Sequence, residues 1–137
     1  MHNSASKAAE RAKPRSGRSP GRAGAVLQTR WRVLRGGQIA FGPGKADLLV
    51  HLAETGSISE AARRMEMSYM RAWSLIKVMN RSFQMPLVAA LRGGVSGGGA
   101  ELTSTGRRVL RLYRRMEAAA LRSSAADWRN LQSLLRP

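Results

Sequence analysis

Tyr69, Met70, Arg71, Ser74 and Lys77 bring an aromatic ring, a thioether, two cations and a hydroxyl together within nine residues of the 137-residue chain. On a helix Met70, Ser74, Lys77 and Arg81 fall on one face, because residues three and four apart are neighbours there. A face of this kind makes hydrogen bonds and apolar contacts to base edges and phosphates. Bond-breaking chemistry has no comparable set. The histidines are His2, in a basic N-terminal stretch, and His51, which has no cluster of Asp, Glu or Cys suited to a triad or a metal. The Gly42–Ala46 run, GPGKA, lacks the upstream glycine and the following Ser or Thr of a phosphate-binding loop, since Ile39 and Ala46 stand there. No catalytic residue, metal or cofactor is expected, and the chain does not read as an enzyme.

Something must hold that face outward. Ser57 followed three residues later by Glu60 reads as a capping box, which starts a helix at Ile58. Its apolar positions Ile58, Ala61, Ala62 and Met65 run out at Glu66 and Met67, and Ser68 offers a second N-cap for a helix beginning at Tyr69. Two capped helices joined by a tight turn are a helix-turn-helix, whose second helix can enter the major groove of DNA. The second helix should run to about Phe83, with Ala72, Leu75, Ile76, Met79 and Phe83 on its inner face. Trp73 lies on its flank and is expected to pack against the hairpin or wing, fixing the recognition helix, rather than read bases.

Around this pair the chain supplies a scaffold. WRVLRGGQIAFGPG alternates apolar and polar residues on either side of Gly36 and Gly37 and reads as a β-hairpin. Pro43 then opens a helix carrying Leu48, Leu49 and Leu52, which ends at Gly56 and should close the back of the core. After Pro86, PLVAALR reads as a strand, GGVSGGGA as a loop, and Glu101 and Leu102 as the returning strand, together a two-stranded wing. Thr103 caps a long helix with Val109, Leu110, Leu112, Tyr113 and Met116 expected inward and most of its arginines outward. That helix should break near Ser123 and Ser124. The last segment, with Trp128, Leu131, Leu134 and Leu135, is too small to fold alone and is expected to pack on a partner. The fold class is therefore mainly α: a winged helix-turn-helix with an N-terminal β-hairpin, a two-stranded wing and a long C-terminal dimerisation helix. The expected domains are a disordered basic tail over 1–29, the winged helix-turn-helix over 30–122, and a C-terminal helix over 123–137 that serves as a dimer contact.

The net charge of +16 is the electrostatic footprint of a nucleic-acid binder. Residues 1–30 hold seven Lys or Arg against one Glu, so a net of +10 remains in the rest of the chain and the basicity is not confined to the tail. The absence of cysteine fits a reducing compartment. No apolar run approaches the roughly 20 residues of a membrane span, and the N-terminus lacks the apolar segment of a secretory signal. An organellar transit peptide is the alternative for an N-terminus this rich in Arg and Ser; a cytoplasmic bacterial protein is the preferred reading.

The expected DNA contacts are Ser68, Tyr69, Met70, Arg71, Ser74 and Lys77 on the recognition helix. Ser57, Ser59, Arg63 and Arg64 on the preceding helix, and Arg92, Gly93, Gly94 and Arg107 at the wing, are expected to touch the backbone. For Arg63 and Arg64 a surface charge pair is the alternative. The arginines from Arg108 to Arg115 read as a solvated face.

GSISEAA at Gly56–Ala62, MSYMRAW at Met67–Trp73, the Met79–Asn80 pair and GGGAELTSTG at Gly97–Gly106 occur in that order. In this the chain resembles the DNA-binding domain of the ModE family of molybdate-responsive transcriptional regulators, over about residues 27–120. A looser similarity to LysR-type regulators covers the helix-turn-helix. The resemblance implies a dimeric winged-helix protein that binds an inverted-repeat operator, often near molybdate-transport or molybdoenzyme genes. Full-length members carry molybdate-binding folds after this domain, and the sequence ends at Pro137, so molybdate binding in cis is not expected. The expected partners are double-stranded DNA and a second copy of the chain, with no membrane. Two other readings stay open: a nonspecific architectural DNA-binding protein, and an interaction module forming mixed dimers with a full-length regulator.

Overall fold

Val33–Arg35 (β1) and Gln38–Phe41 (β2) form an antiparallel hairpin turned by Gly36 and Gly37, whose φ values of 56° and 78° are those of a two-residue turn that matches strand twist. The structure, a computed structural model, describes residues 24–91 and 99–137. The hairpin register slips between Val33 and Leu34, a bulge that turns both Ala40 and Phe41 inward while Leu34 and Ile39 stay exposed. Phe41 meets Phe83 and Tyr113 edge-on, with ring centroids 6.1 and 5.1 Å away. Those edge-to-face contacts fasten the hairpin to the helices that follow.

Pro43–Thr55 (α1) begins with proline at its first position, as expected, and ends where Gly56 takes a left-handed conformation with φ of 64°. Ile58–Arg64 (α2) and Tyr69–Ser82 (α3) follow, then Val88–Ala90 (β3), Ala100–Leu102 (β4), Ser104–Ser123 (α4) and Ala125–Ser133 (α5). The two strands β3 and β4 pair antiparallel with Val88 opposite Leu102 and Ala90 opposite Ala100. Helix α1 lies at the centre: Leu48, Leu49 and Leu52 are buried against Ile58, Ala61 and Ala62 of α2, Ala72, Ile76 and Met79 of α3, and Leu87, Ala100 and Tyr113 beyond. On α1, α2 and α3 the core is drawn from the apolar positions read from period 3.6, with Leu75 and Phe83 packed against it partly buried.

Two expectations about helix faces and caps are corrected. Leu112 and Met116 do not point inward; each is 44% exposed, and on α4 Tyr113 alone of the apolar residues is fully buried. Helix α4 meets the core through Val109, Leu110 and Tyr113; Leu112 lies off that side, and Met116 and Leu121 lie beyond the end of the contact, where they stay exposed among the described residues. The capping box is half made: Ser57 Oγ accepts from the Glu60 amide at 3.2 Å, but the Ser57 amide donates to Thr55 Oγ1 rather than to the Glu60 carboxylate. Arg63 draws that carboxylate away. Thr29, at the end of the segment expected to be tail, donates its hydroxyl to Glu117 at 3.0 Å; the tail before residue 24 lies outside the described residues.

Candidate nucleic-acid interface

The turn between α2 and α3 is built without glycine. Met67 donates its amide to Ala62 O at 3.0 Å and Glu66 donates to Arg63 O at 3.1 Å, the paired bonds of a Schellman motif. Glu66 therefore carries a φ of 55°, the one positive value outside glycine among the described residues. Ser68 then caps α3, its Oγ accepting from the Arg71 amide at 3.1 Å. Ala72, Ile76 and Met79 hold the inner face of α3 against α1. The opposite face follows from that anchoring: Met70 is 65% exposed, and Ser74, Lys77 and Arg81 are exposed beside it.

Tyr69 stands half-exposed at the start of the helix, and Arg71 is exposed on its flank. Ser74 donates its hydroxyl to Met70 O at 2.9 Å, which leaves its oxygen able to accept. Trp73 is half-buried against the core.

On α2, Ser59, Arg63 and Arg64 are exposed, but both cations are paired. Arg63 holds Glu60 at 2.7 Å, and Arg64 reaches Glu54 of α1 at 2.5 Å. The hydrogen bond from Arg63, more than its charge, holds the Glu60 carboxyl below the usual carboxylate range, and the Arg63 guanidinium is raised by the same bond. Both groups are open to solvent, where such a pair contributes little.

The wing base is joined to the helix-turn-helix more directly than its sequence distance implies. Ala100 donates its amide to Gly56 O at 3.0 Å, and Ser57 bridges to Gly99. Leu91 continues the ladder by donating to Gly99 O at 2.8 Å. Arg107, in the first turn of α4, donates to Leu102 O at 2.7 Å and so lies along β4. Arg92, Gly93 and Gly94 fall outside the described residues.

A cationic cleft joins this surface. Arg71 of α3 lines it together with Lys45 of α1 and with Arg30 and Arg32, which precede β1. Lys45, 8% exposed, donates to Ile39 O and has its pKa pushed down, first by burial and then by the charge of Arg71. Nothing in the sequence signals this grouping, because its members come from three segments that only the tertiary fold brings together. Among the described residues no group of three or more His, Cys, Asp or Glu could hold a metal, and no helix is long and apolar enough to cross a membrane.

Residues 45–107 match the family model described as bacterial regulatory helix-turn-helix protein, lysR family. Among curated relatives, the molybdenum-pterin-binding protein MopB of Rhodobacter capsulatus is 41% identical over 78 residues, covering 57% of this chain and 29% of that one. The molybdenum transport protein ModE of Azotobacter vinelandii is 43% identical over 70 residues, 51% of this chain and 26% of its own. The DNA-binding transcriptional dual regulator ModE of Escherichia coli (strain K12) is 44% identical over 71 residues, 52% of this chain and 27% of its own. The chain carries a ModE-like helix-turn-helix DNA-binding domain. It spans under a third of the length of those relatives. Among solved structures, the crystal structure of the CbnR_DBD-DNA complex superposes on this ModE-like domain with a TM-score of 0.51 at 22% identity, covering 64% of this chain and 95% of that one. That likeness shows a shared winged helix-turn-helix fold.

Proposed function

We propose that the chain is a sequence-specific transcriptional regulator that binds an inverted-repeat operator as a homodimer, in the cytoplasm of a bacterium, and that its targets belong to molybdenum or molybdate metabolism. The observation that carries the reading is the outward face of α3, where Met70, Ser74 and Lys77 stand exposed opposite the buried Ala72, Ile76 and Met79. A thioether for thymine methyls, a hydroxyl acceptor and a cation are the groups that base edges and phosphates call for. Similarity to relatives named ModE and MopB supports the molybdenum link. The uncovered apolar residues of α4 and α5, among them Leu112, Met116, Leu121 and Leu131, support the dimer. In this reading Ser57, Ser59, Ser68, Tyr69, Arg71 and Arg107 flank the reading face as backbone contacts, and Arg63 and Arg64 trade their carboxylates for phosphates.

Binding selection from random duplex DNA at near-physiological salt tests the reading. An enriched palindrome with half-sites about one helical turn apart, or a multiple of it, is the expected outcome. Equal binding to all sequences with a steep salt dependence would replace it with nonspecific architectural binding, the reading that the charge of +16 favours. Selection repeated with and without molybdate tests the metabolic link directly.

A further inference from the structure

The cleft between α1, α3 and the segment before β1 holds four cations and no carboxylate. Arg30, Arg32, Lys45 and Arg71 line an opening of about 370 Å³, and none of the four takes part in an ion pair among the described residues. Like charges converging on one space repel, which raises the free energy of the empty cleft and makes an entering anion favourable. Burial first, and the charge of Arg71 second, push the Lys45 pKa down.

The segment that carries Arg30 and Arg32 is also held in place. Tyr113 donates its hydroxyl to Trp31 O at 2.8 Å, which pins the residue between Arg30 and Arg32. The Arg32 stem crosses Gly42 so closely that a Cβ there would lie 3.4 Å from Arg32 Cγ. Gly42 caps α1 without a side chain, the first turn of the helix has no acidic residue, and Gly44 and Lys45 of that turn line the cleft, so the amides that a helix start leaves free have no side-chain acceptor there. Planar guanidinium forks, an ammonium and free amides suit the oxygens of a phosphate group.

Arg71 decides the source of that phosphate. It is the residue after Met70, on the flank of α3 next to the outward face, so an anion in the cleft sits at the border of the surface that would face a groove. We infer that the cleft seats one backbone phosphate of a DNA duplex, held by Arg30, Arg32, Lys45 and Arg71. This rests on the DNA-binding reading above. It fixes how far α3 enters the groove, because the same arginine that flanks the reading face is tied to the backbone.

The test compares the 137-residue chain with Arg30→Gln/Arg32→Gln, with Arg71→Gln and with the control Arg111→Gln, all at exposed positions and each checked for its fold by circular dichroism. Duplexes carrying a single neutral methylphosphonate at successive positions of the selected site locate the seat. One position per half-site should weaken wild-type binding about tenfold, and that penalty should shrink below about twofold in both cleft variants but not in the control. On any duplex the cleft variants should also lower the salt slope by about one unit. Full retention of the methylphosphonate penalty, or an unchanged slope, overturns the seat. A chain that binds no duplex at low salt overturns the DNA reading and the seat with it, an outcome distinct from intact binding without coupling. Titration of the DNA-free chain with inorganic phosphate, followed by phosphorus NMR, separates the second source: binding lost in the cleft variants, without coupling to DNA, would assign the cleft to a free anion instead.

Discussion

Gly106 and Leu87 are packed so closely that a Cβ on the glycine would overlap the leucine carbonyl oxygen and lie 3.0 Å from its carbon. The contact exists because the start of α4 is folded onto the strand that opens the wing: the Thr103 amide donates to Leu87 O at 2.9 Å and its hydroxyl donates to Pro86 O at 2.6 Å. Backbone cannot yield here as a side chain would. Gly106→Ala should therefore destabilise the domain by about 2–3 kcal/mol, read as a lower urea midpoint with an unchanged slope. A midpoint within error of the wild type would show that the two segments can separate freely.

Leu87 is held from its other side by Asn80. The Asn80 Oδ1 accepts from the amides of Leu87 at 2.9 Å and Val88 at 3.1 Å, and its Nδ2 donates to Val88 O at 3.1 Å. One side chain thus stands in for a missing strand beside β3. Asn80→Leu should cost about 2–4 kcal/mol, since it strands buried backbone groups. Asn80→Asp keeps the acceptor and should cost less. Chemical denaturation of both variants measures the order, and equal losses would mean that the acceptor is not the important half.

Glu66 is the reverse case, a residue whose replacement should help. Its φ of 55° in the turn between α2 and α3 is strained for a residue with a Cβ and free for glycine. Glu66→Gly should raise stability by about 1 kcal/mol, while Glu66→Ala, which keeps the Cβ, should give no such gain. Thermal melts of the two variants decide it.

These sites mark how far the sequence could be read. The helix starts at Ile58, Tyr69 and Ser104 were legible because Ser57, Ser68 and Thr103 are short polar caps whose effect is local. The Gly36–Gly37 turn and the Gly56 stop were legible for the same reason: positive φ leaves a residue type behind. The turn at Glu66 was only half legible, as the place where the apolar pattern runs out, because tertiary packing imposes its conformation against local preference. The inward placement of Leu112 and Met116 failed because amphipathic spacing says which residues share a face but not where the covering layer ends. Of the interface, the face of Met70, Ser74 and Lys77 followed from period alone. The cleft of Arg30, Arg32, Lys45 and Arg71 did not, since it is assembled across three segments of the chain.

Reading and anchoring should separate by mutation on α3. Ser74→Ala removes an acceptor from the centre of the outward face and should change preference at one base position by about 1–3 kcal/mol with little change in salt dependence. Lys77→Ala should weaken all sequences alike and lower the salt slope by about one unit. Competition binding against a panel of single-base operator variants at two salt concentrations distinguishes them. If both variants change preference and slope in the same way, the division of roles on this face is wrong.

The C-terminal half carries the remaining expectation. Helix α5 has no buried residue, and Leu131 is 52% exposed while Trp128 is half-buried. A nine-residue helix with its apolar side open is not stable on its own, yet it is regular here and continues from α4 after the Ser124 break. In the homodimer proposed above, a second copy laid against α4 and α5 would cover the exposed Leu112, Met116 and Leu131. Met116→Asp/Leu131→Asp should then shift sedimentation from dimer to monomer. Binding to a single half-site should survive the change, whereas binding to the full inverted repeat should fall roughly 100-fold as the effective concentration of the second domain is lost. A charged variant that sediments and binds the repeat like the wild type would place the dimer contact elsewhere on the chain.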